Sequence, residues 1–140
     1  MFPEHITTEK LNDFCKGSMS EWLGIRYLEI GRDFLRATMP VDHRTRQPLG
    51  RLHGGASVVL AEELGSMAAN LLLNDPDQAA VGLEINANHL RSTSEGKVIG
   101  EARSLHMGKR HQVWEIRISN QEGELLCISR LTIAIMQKKK

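Results

Sequence analysis

The chain carries one long stretch with apolar residues at helical spacing, set among shorter strand-like runs. In Gly54 to Leu73, Leu60, Leu64, Met67 and Leu71 fall at i, i+4, i+7 and i+11, which predicts a single apolar stripe on a long helix. Asn74-Asp75-Pro76-Asp77 stops it. Before it, Thr7 and Thr8 precede a segment with Leu11 and Phe14 three apart, which predicts a short capped helix over Glu9 to Cys15. A second short turn is expected from Met19 to Leu23. Strand-like runs at Gly24 to Ile30 and Phe34 to Met39 flank a Gly31-Arg32-Asp33 turn, and Pro40 to Leu52 reads as an irregular loop.

Four further strand-like stretches follow the helix: Ala79–Ser92, Lys97–Met107, His111–Asn120 and Leu125–Met136. Turns containing Ser94-Glu95-Gly96, Gly108-Lys109-Arg110 and Gln121-Glu122-Gly123 separate them, the pattern of an antiparallel meander. The expected architecture is α+β, a curved antiparallel sheet wrapped around one long central helix. No internal repeat is visible.

At 140 residues the chain fits a single domain, residues 1–140. With 41% apolar and 25% charged residues and a formal charge of +1, it has no global pull toward nucleic acid or membrane. No apolar run approaches the roughly 20 residues that span a bilayer. The N-terminus, Met1-Phe2-Pro3-Glu4-His5, has neither a basic nor an apolar leader region, so a cytoplasmic protein is expected. Cys15 and Cys127 stand far apart without ligand spacing and read as free thiols. Lys138-Lys139-Lys140 reads as a solvated charged tail.

The chemistry concentrates in Gln47 to Glu62. A polar side chain (Gln47), a histidine (His53) and two glycines (Gly54, Gly55) lead straight into the helix, and Glu62 sits two turns inside it. At about 100° per residue, Glu62 lies opposite the apolar stripe, where a carboxylate ordinarily points into solvent. Its neighbours on that face, Gly55, Val58, Ser66 and Ala69, are small or apolar, which suggests a surface that something covers. Gly54 and Gly55 occupy the helix start, where Ser, Thr, Asp or Asn would be the usual cap. Positions without side chains let a ligand approach the N–H groups closely. Exposed N–H groups polarise an oxyanion, and a nearby carboxylate attacks a carbonyl or activates water. Such equipment suits acyl transfer. His89, His106 and His111 are scattered without paired carboxylates, so no metal site is expected, and no serine sits in a GxSxG elbow.

The stretch Gln47 to Ser66 resembles the active-site signature of the phenylacetate-type hotdog acyl-CoA thioesterases. Within these, the chain looks most like the 1,4-dihydroxy-2-naphthoyl-CoA thioesterases of menaquinone synthesis, and it also resembles thioesterases that proofread the enterobactin carrier protein. Ala37 to Asp42, Val81 to Ser92, Leu105 to Trp114 and Ser129 to Thr132 match as well, so the resemblance covers nearly the whole chain. It implies a hotdog fold and hydrolysis of an aromatic acyl-CoA without a cofactor. Glu62 would be the catalytic carboxylate and the Gly54 N–H the oxyanion donor, with Gln47 and His53 orienting the thioester. Ser66 and Met67 would face the acyl group. Gly82, His89, Leu90, Arg91 and Ser92, together with the loop His106, Met107, Gly108, Lys109, Arg110 and His111, would receive coenzyme A. The family assembles as dimers of dimers with each site spanning two subunits, and an acyl or aryl carrier protein is the alternative partner.

The segment departs from the family at Leu49, where Phe is common, at Arg51, and at Glu63, where a small residue is usual; Glu63 is expected to face away from the site. On residues alone, Arg91, Lys109 and Arg110 cluster with His89, His106 and His111 as a phosphate-binding surface. Two other function classes compete. A hotdog dehydratase also uses His and a carboxylate, but here the His precedes the helix and the Glu lies within it. A non-catalytic acyl-CoA sensor needs no carboxylate near the thioester.

Overall fold

A computed structural model describes residues 2–139. Met1 and the end of the charged tail, Lys140, lie outside them. In chain order the elements are α1 (Thr8–Phe14), α2 (Met19–Trp22), β1 (Arg26–Ile30), β2 (Phe34–Pro40), α3 (Gly54–Leu71), β3 (Gln78–His89), β4 (Lys97–Met107), β5 (His111–Asn120) and β6 (Leu125–Gln137). The strands form one antiparallel sheet in the order β1-β2-β4-β5-β6-β3, and α3 lies against β2 through β6. This is the expected α+β arrangement of a sheet around one long helix.

The connectivity differs from a simple meander. β1 and β2 form one hairpin and β4, β5 and β6 follow one another as two more, but β3 pairs with β6 at the far edge, from Gln78 opposite Gln137 to His89 opposite Cys127. Helix α3 carries the chain across the concave face between β2 and β3, which leaves β3 as a twelve-residue edge strand.

The helix face that meets the sheet also differs from the predicted stripe. Leu60 and Leu64 are fully buried, but Met67 and Leu71 are only partly so; the remaining buried positions are small, with Ala61 and Ala68 at 0% exposure. Packing distance explains this. A Cβ on Gly65 would lie 2.6 Å from Leu131 Cδ2, and one on Gly100 would lie 2.5 Å from Leu64 Cδ1. Small residues on both partners let the helix sink onto the sheet, while a periodicity count weights large side chains and so misplaces the stripe's centre. Burying Leu60 and Leu64 together stabilises the fold by about 3–6 kcal/mol.

Local chemistry sets the ends of the elements. Thr7 Oγ1 accepts from the Lys10 N–H at 3.3 Å and caps α1. Gly24, at φ 75°, ends α2 and delays β1 to Arg26. The Leu90 and Arg91 N–H groups both donate to Leu126 O, at 2.7 and 3.2 Å, which turns the chain out of β3 at His89, three residues before Ser92. Leu72 caps α3 two residues earlier than predicted.

Candidate active site

His53 is the N-cap of α3. Its Nδ1 accepts from the Gly55 N–H at 2.8 Å, so the neutral ring carries its proton on Nε2 and offers a donor outward. The histidine replaces the usual Ser or Asp cap and leaves the Gly54 N–H without a partner among the described residues. Gly54 leaves room for the His89 ring: a Cβ there would lie 2.9 Å from His89 Nε2. Gln47, Gly54, Ser57, His89, Arg91 and Ser92 line a cleft of about 360 Å³ at this helix start. Gln47 Oε1 accepts from the Leu49 N–H, which shapes the loop that enters the cleft. Leu49 itself is 85% exposed.

Glu62 is half-buried, and its partners come from α3 and β3. Ser66 Oγ donates to Glu62 Oε1 at 3.0 Å. Gly82 lies directly beneath: a Cβ at that position would sit 2.5 Å from the same oxygen. The structure thus places Gly82 beside the carboxylate rather than among the basic residues. Asn70, four residues past Ser66, donates to Ser66 O at 2.9 Å and to Ala80 O at 3.0 Å, and its Oδ1 accepts from the Ala80 N–H at 3.0 Å. This amide clasps both backbone groups of a strand residue two positions before Gly82. It was not anticipated, although the recurrence of polar residues at 62, 66 and 70 on one helix face was its visible signal.

Glu63 does not face solvent. Its Oε1 accepts from Tyr27 OH at 2.7 Å and from Cys15 Sγ at 3.3 Å, and its Oε2 from Ser20 Oγ at 2.6 Å. Burial, reinforced by this carboxylate, pushes the Cys15 thiol up to about 12 and raises the Tyr27 phenol as well. Both groups stay protonated and serve as donors.

The anticipated basic cluster is not assembled within one chain. The His106 to His111 hairpin lies level with Val81, since His111 and Val81 both stand opposite Ala134. His89 to Ser92 lie eight residues further along β3, about 26 Å away at ~3.3 Å per residue. Proximity in a turn and at a strand end suggested a cluster; strand register separates the two groups. Arg91, Lys109 and Arg110 form no ion pair among the described residues. Among the described residues, no group of His, Cys, Asp and Glu is arranged to hold a metal ion, and no helix is long and apolar enough to cross a membrane.

Residues 49–127 match the Thioesterase superfamily. The chain belongs to this thioesterase superfamily. It is 57% identical over 131 residues to the 1,4-dihydroxy-2-naphthoyl-CoA hydrolase of Escherichia coli, an alignment covering 94% of this chain and 96% of the relative. It is 50% identical over 136 residues to the proofreading thioesterase EntH of Cronobacter turicensis, covering 97% and 98%. The crystal structure of a thioesterase from Haemophilus influenzae superposes with a TM-score of 0.95 at 46% identity, covering 99% of this chain and 96% of that one. The sheet and helix of this thioesterase are therefore the hotdog fold, and Glu62 with the Gly54 helix start lies inside the matched segment.

Proposed function

We propose that this thioesterase hydrolyses aromatic acyl-CoA thioesters to the free acid and coenzyme A, at a site that two subunits complete. The observation that carries the reading is the separation of the two chemical groups. Glu62 follows Gly54 by eight helix residues, an axial rise of about 12 Å at 1.5 Å per residue, so the two groups stand far apart along one chain. Strand β3 supplies the way to close that gap. It is a long edge with Val81 40% and Leu83 58% exposed, a surface that calls for pairing. Antiparallel pairing of two β3 edges about a twofold axis sets the Gly82 end of one strand near the His89 end of the other. Glu62 of one subunit then faces the helix start of its mate, and the His106 to His111 hairpin approaches the mate's Arg91. A dimer of dimers would follow from a second interface.

In this arrangement the Gly54 N–H and the helix dipole stabilise the oxyanion that forms when the thioester carbonyl is attacked. His53 Nε2–H and the Gln47 amide orient the carbonyl. Glu62, held by Ser66, either attacks the carbon or takes the proton of the attacking water; the thiolate of coenzyme A leaves in both routes. Arg91 and Arg110 hold phosphates. A carrier protein presents its acyl group on the same pantetheine arm and is the alternative donor.

Benzoyl-CoA with a free-thiol reagent tests the reading: release of coenzyme A is expected, with kcat/KM above that for acetyl- and hexanoyl-CoA. Glu62→Gln should lower kcat on the order of 100-fold or more. Retention of over about a tenth of wild-type kcat would remove Glu62 from the chemistry.

A further inference from the structure

A cavity of about 660 Å³ lies between α1 and the face of α3 formed by Glu63, Ser66, Met67 and Asn70. Ser66 joins it to Glu62, because this residue lines the cavity and its hydroxyl donates to Glu62 Oε1 at 3.0 Å. The space therefore opens beside the carboxylate to which the acyl-CoA reading gives the chemistry. Its size suits a small ring system. Leu11, Phe14, Met67 and Leu71 supply apolar surface, Lys10, Ser18, Ser20, Ser66 and Asn70 line it with polar groups, and Glu63 is its one carboxylate.

Glu63 is a prepared acceptor. Tyr27, Ser20 and Cys15 fill three of the roughly four lone-pair sites of its carboxylate, and Oε2 carries only the Ser20 bond. Those three donors fix the carboxylate in place and stabilise its charge against the neighbouring apolar wall. The Lys10 ammonium at the cavity rim donates to His5 O at 2.7 Å and forms no ion pair with Glu63. A carboxylate left one acceptor site short, beside the apolar side chains of Leu11 and Met67, favours a ligand that brings a hydroxyl donor and disfavours one that brings only an acceptor.

We propose that this cavity receives the distal end of the acyl group and that Glu63 selects aromatic acyl groups bearing a ring hydroxyl. The inference rests on the acyl-CoA reading above and adds a specificity residue to it. Glu63 would act only on the ring, several ångströms from the thioester, so its effect should appear as discrimination between acyl groups and not as a general loss of rate.

The test compares kcat/KM of the wild-type protein for the 3- and 4-hydroxybenzoyl-CoA isomers with that for their methoxy counterparts, which keep the ring and the oxygen but lose the donor. At least one hydroxy isomer should be preferred on the order of tenfold. Glu63→Gln, which keeps shape and an acceptor oxygen but loses the charge, should bring that ratio to within about threefold of unity. Phe14→Ala, at an exposed side chain on the opposite wall, should lower the benzoyl-to-acetyl ratio. A purely structural Glu63 would slow all acyl groups together and leave the hydroxy-to-methoxy ratio unchanged, which would overturn the proposal while thioester hydrolysis stands. Equal turnover of hydroxy and methoxy substrates by the wild type would overturn it without any variant. Failure to release coenzyme A from any of these substrates would sink both readings.

Discussion

Replacing Gly82 by alanine is expected to disable catalysis without unfolding the protein. The added Cβ would lie 2.5 Å from Glu62 Oε1, 3.3 Å from Cδ and 3.4 Å from Oε2. Comfortable contact needs about 3.5 Å, so the carboxylate must retreat by about 1 Å. Gly82 is not among the glycines with positive φ, and the atom it meets is the far end of a flexible side chain. The backbone therefore accepts alanine, and lower chain entropy offsets part of the strain by about 0.5–1 kcal/mol. The retreat, however, moves Glu62 off the position where Ser66 holds it at 3.0 Å. A misplacement of about 1 Å costs on the order of 100-fold, or about 2.7 kcal/mol in the barrier. The assay is kcat for benzoyl-CoA alongside thermal unfolding of the same sample. We expect kcat down about 100-fold with Tm within a few degrees of wild type. A kcat within threefold of wild type would refute the placement of Glu62 against β3. A collapse of Tm would refute the claim that the strain is confined to one side chain.

Arg91→Ala and Arg110→Ala should raise KM for coenzyme A thioesters more than they lower kcat, and should spare the truncated N-acetylcysteamine thioester; equal effects on both substrates would exclude these cations from nucleotide binding. Cys15 and Cys127 are buried, and burial raises both thiols, Cys15 to about 12, so neither should react with a thiol reagent at pH 8 until the protein is denatured. Stoichiometric labelling of the native protein would contradict that burial. Arg44 holds Asp42 at about 2, below its ordinary 3.8, through side-chain and then backbone hydrogen bonds. A depressed carboxylate contributes stability above its unfolded pKa and loses it as pH falls through the folded value, so Asp42→Asn should lower Tm at pH 7 and converge with wild type between about pH 4 and pH 2. A gap independent of pH would assign the effect to packing.

Sequence reading captured what short-range periodicity and capping control. The limits of β4 and β5 and the helix start at Gly54 all follow from local pattern. It failed where the decisive contact is remote in sequence. Nothing near Gly82 says that Glu62 lies on it, or that Ala80 is clasped by Asn70, since α3 and β3 meet only after the chain has crossed the sheet. What Glu63 meets was not legible, because angle around a helix gives direction but not what waits there; here α2, β1 and the end of α1 fold over that face and supply three donors. The basic residues were grouped by kind and by turn, while the register of β3, β5 and β6 places them at opposite ends of one chain.

The division of the site between subunits can be tested by mixing two inactive variants. Glu62→Gln removes the carboxylate, and Gly54→Val crowds His89 and blocks approach to the helix start. If each site takes Glu62 from one chain and Gly54 from the other, a mixed dimer carries one doubly damaged site and one intact site. After co-expression, half of the dimers are mixed, so activity on benzoyl-CoA should recover to roughly a quarter of wild type. A site contained within one chain leaves every subunit with a defect, and activity that stays at the level of the separate variants would contradict the shared site.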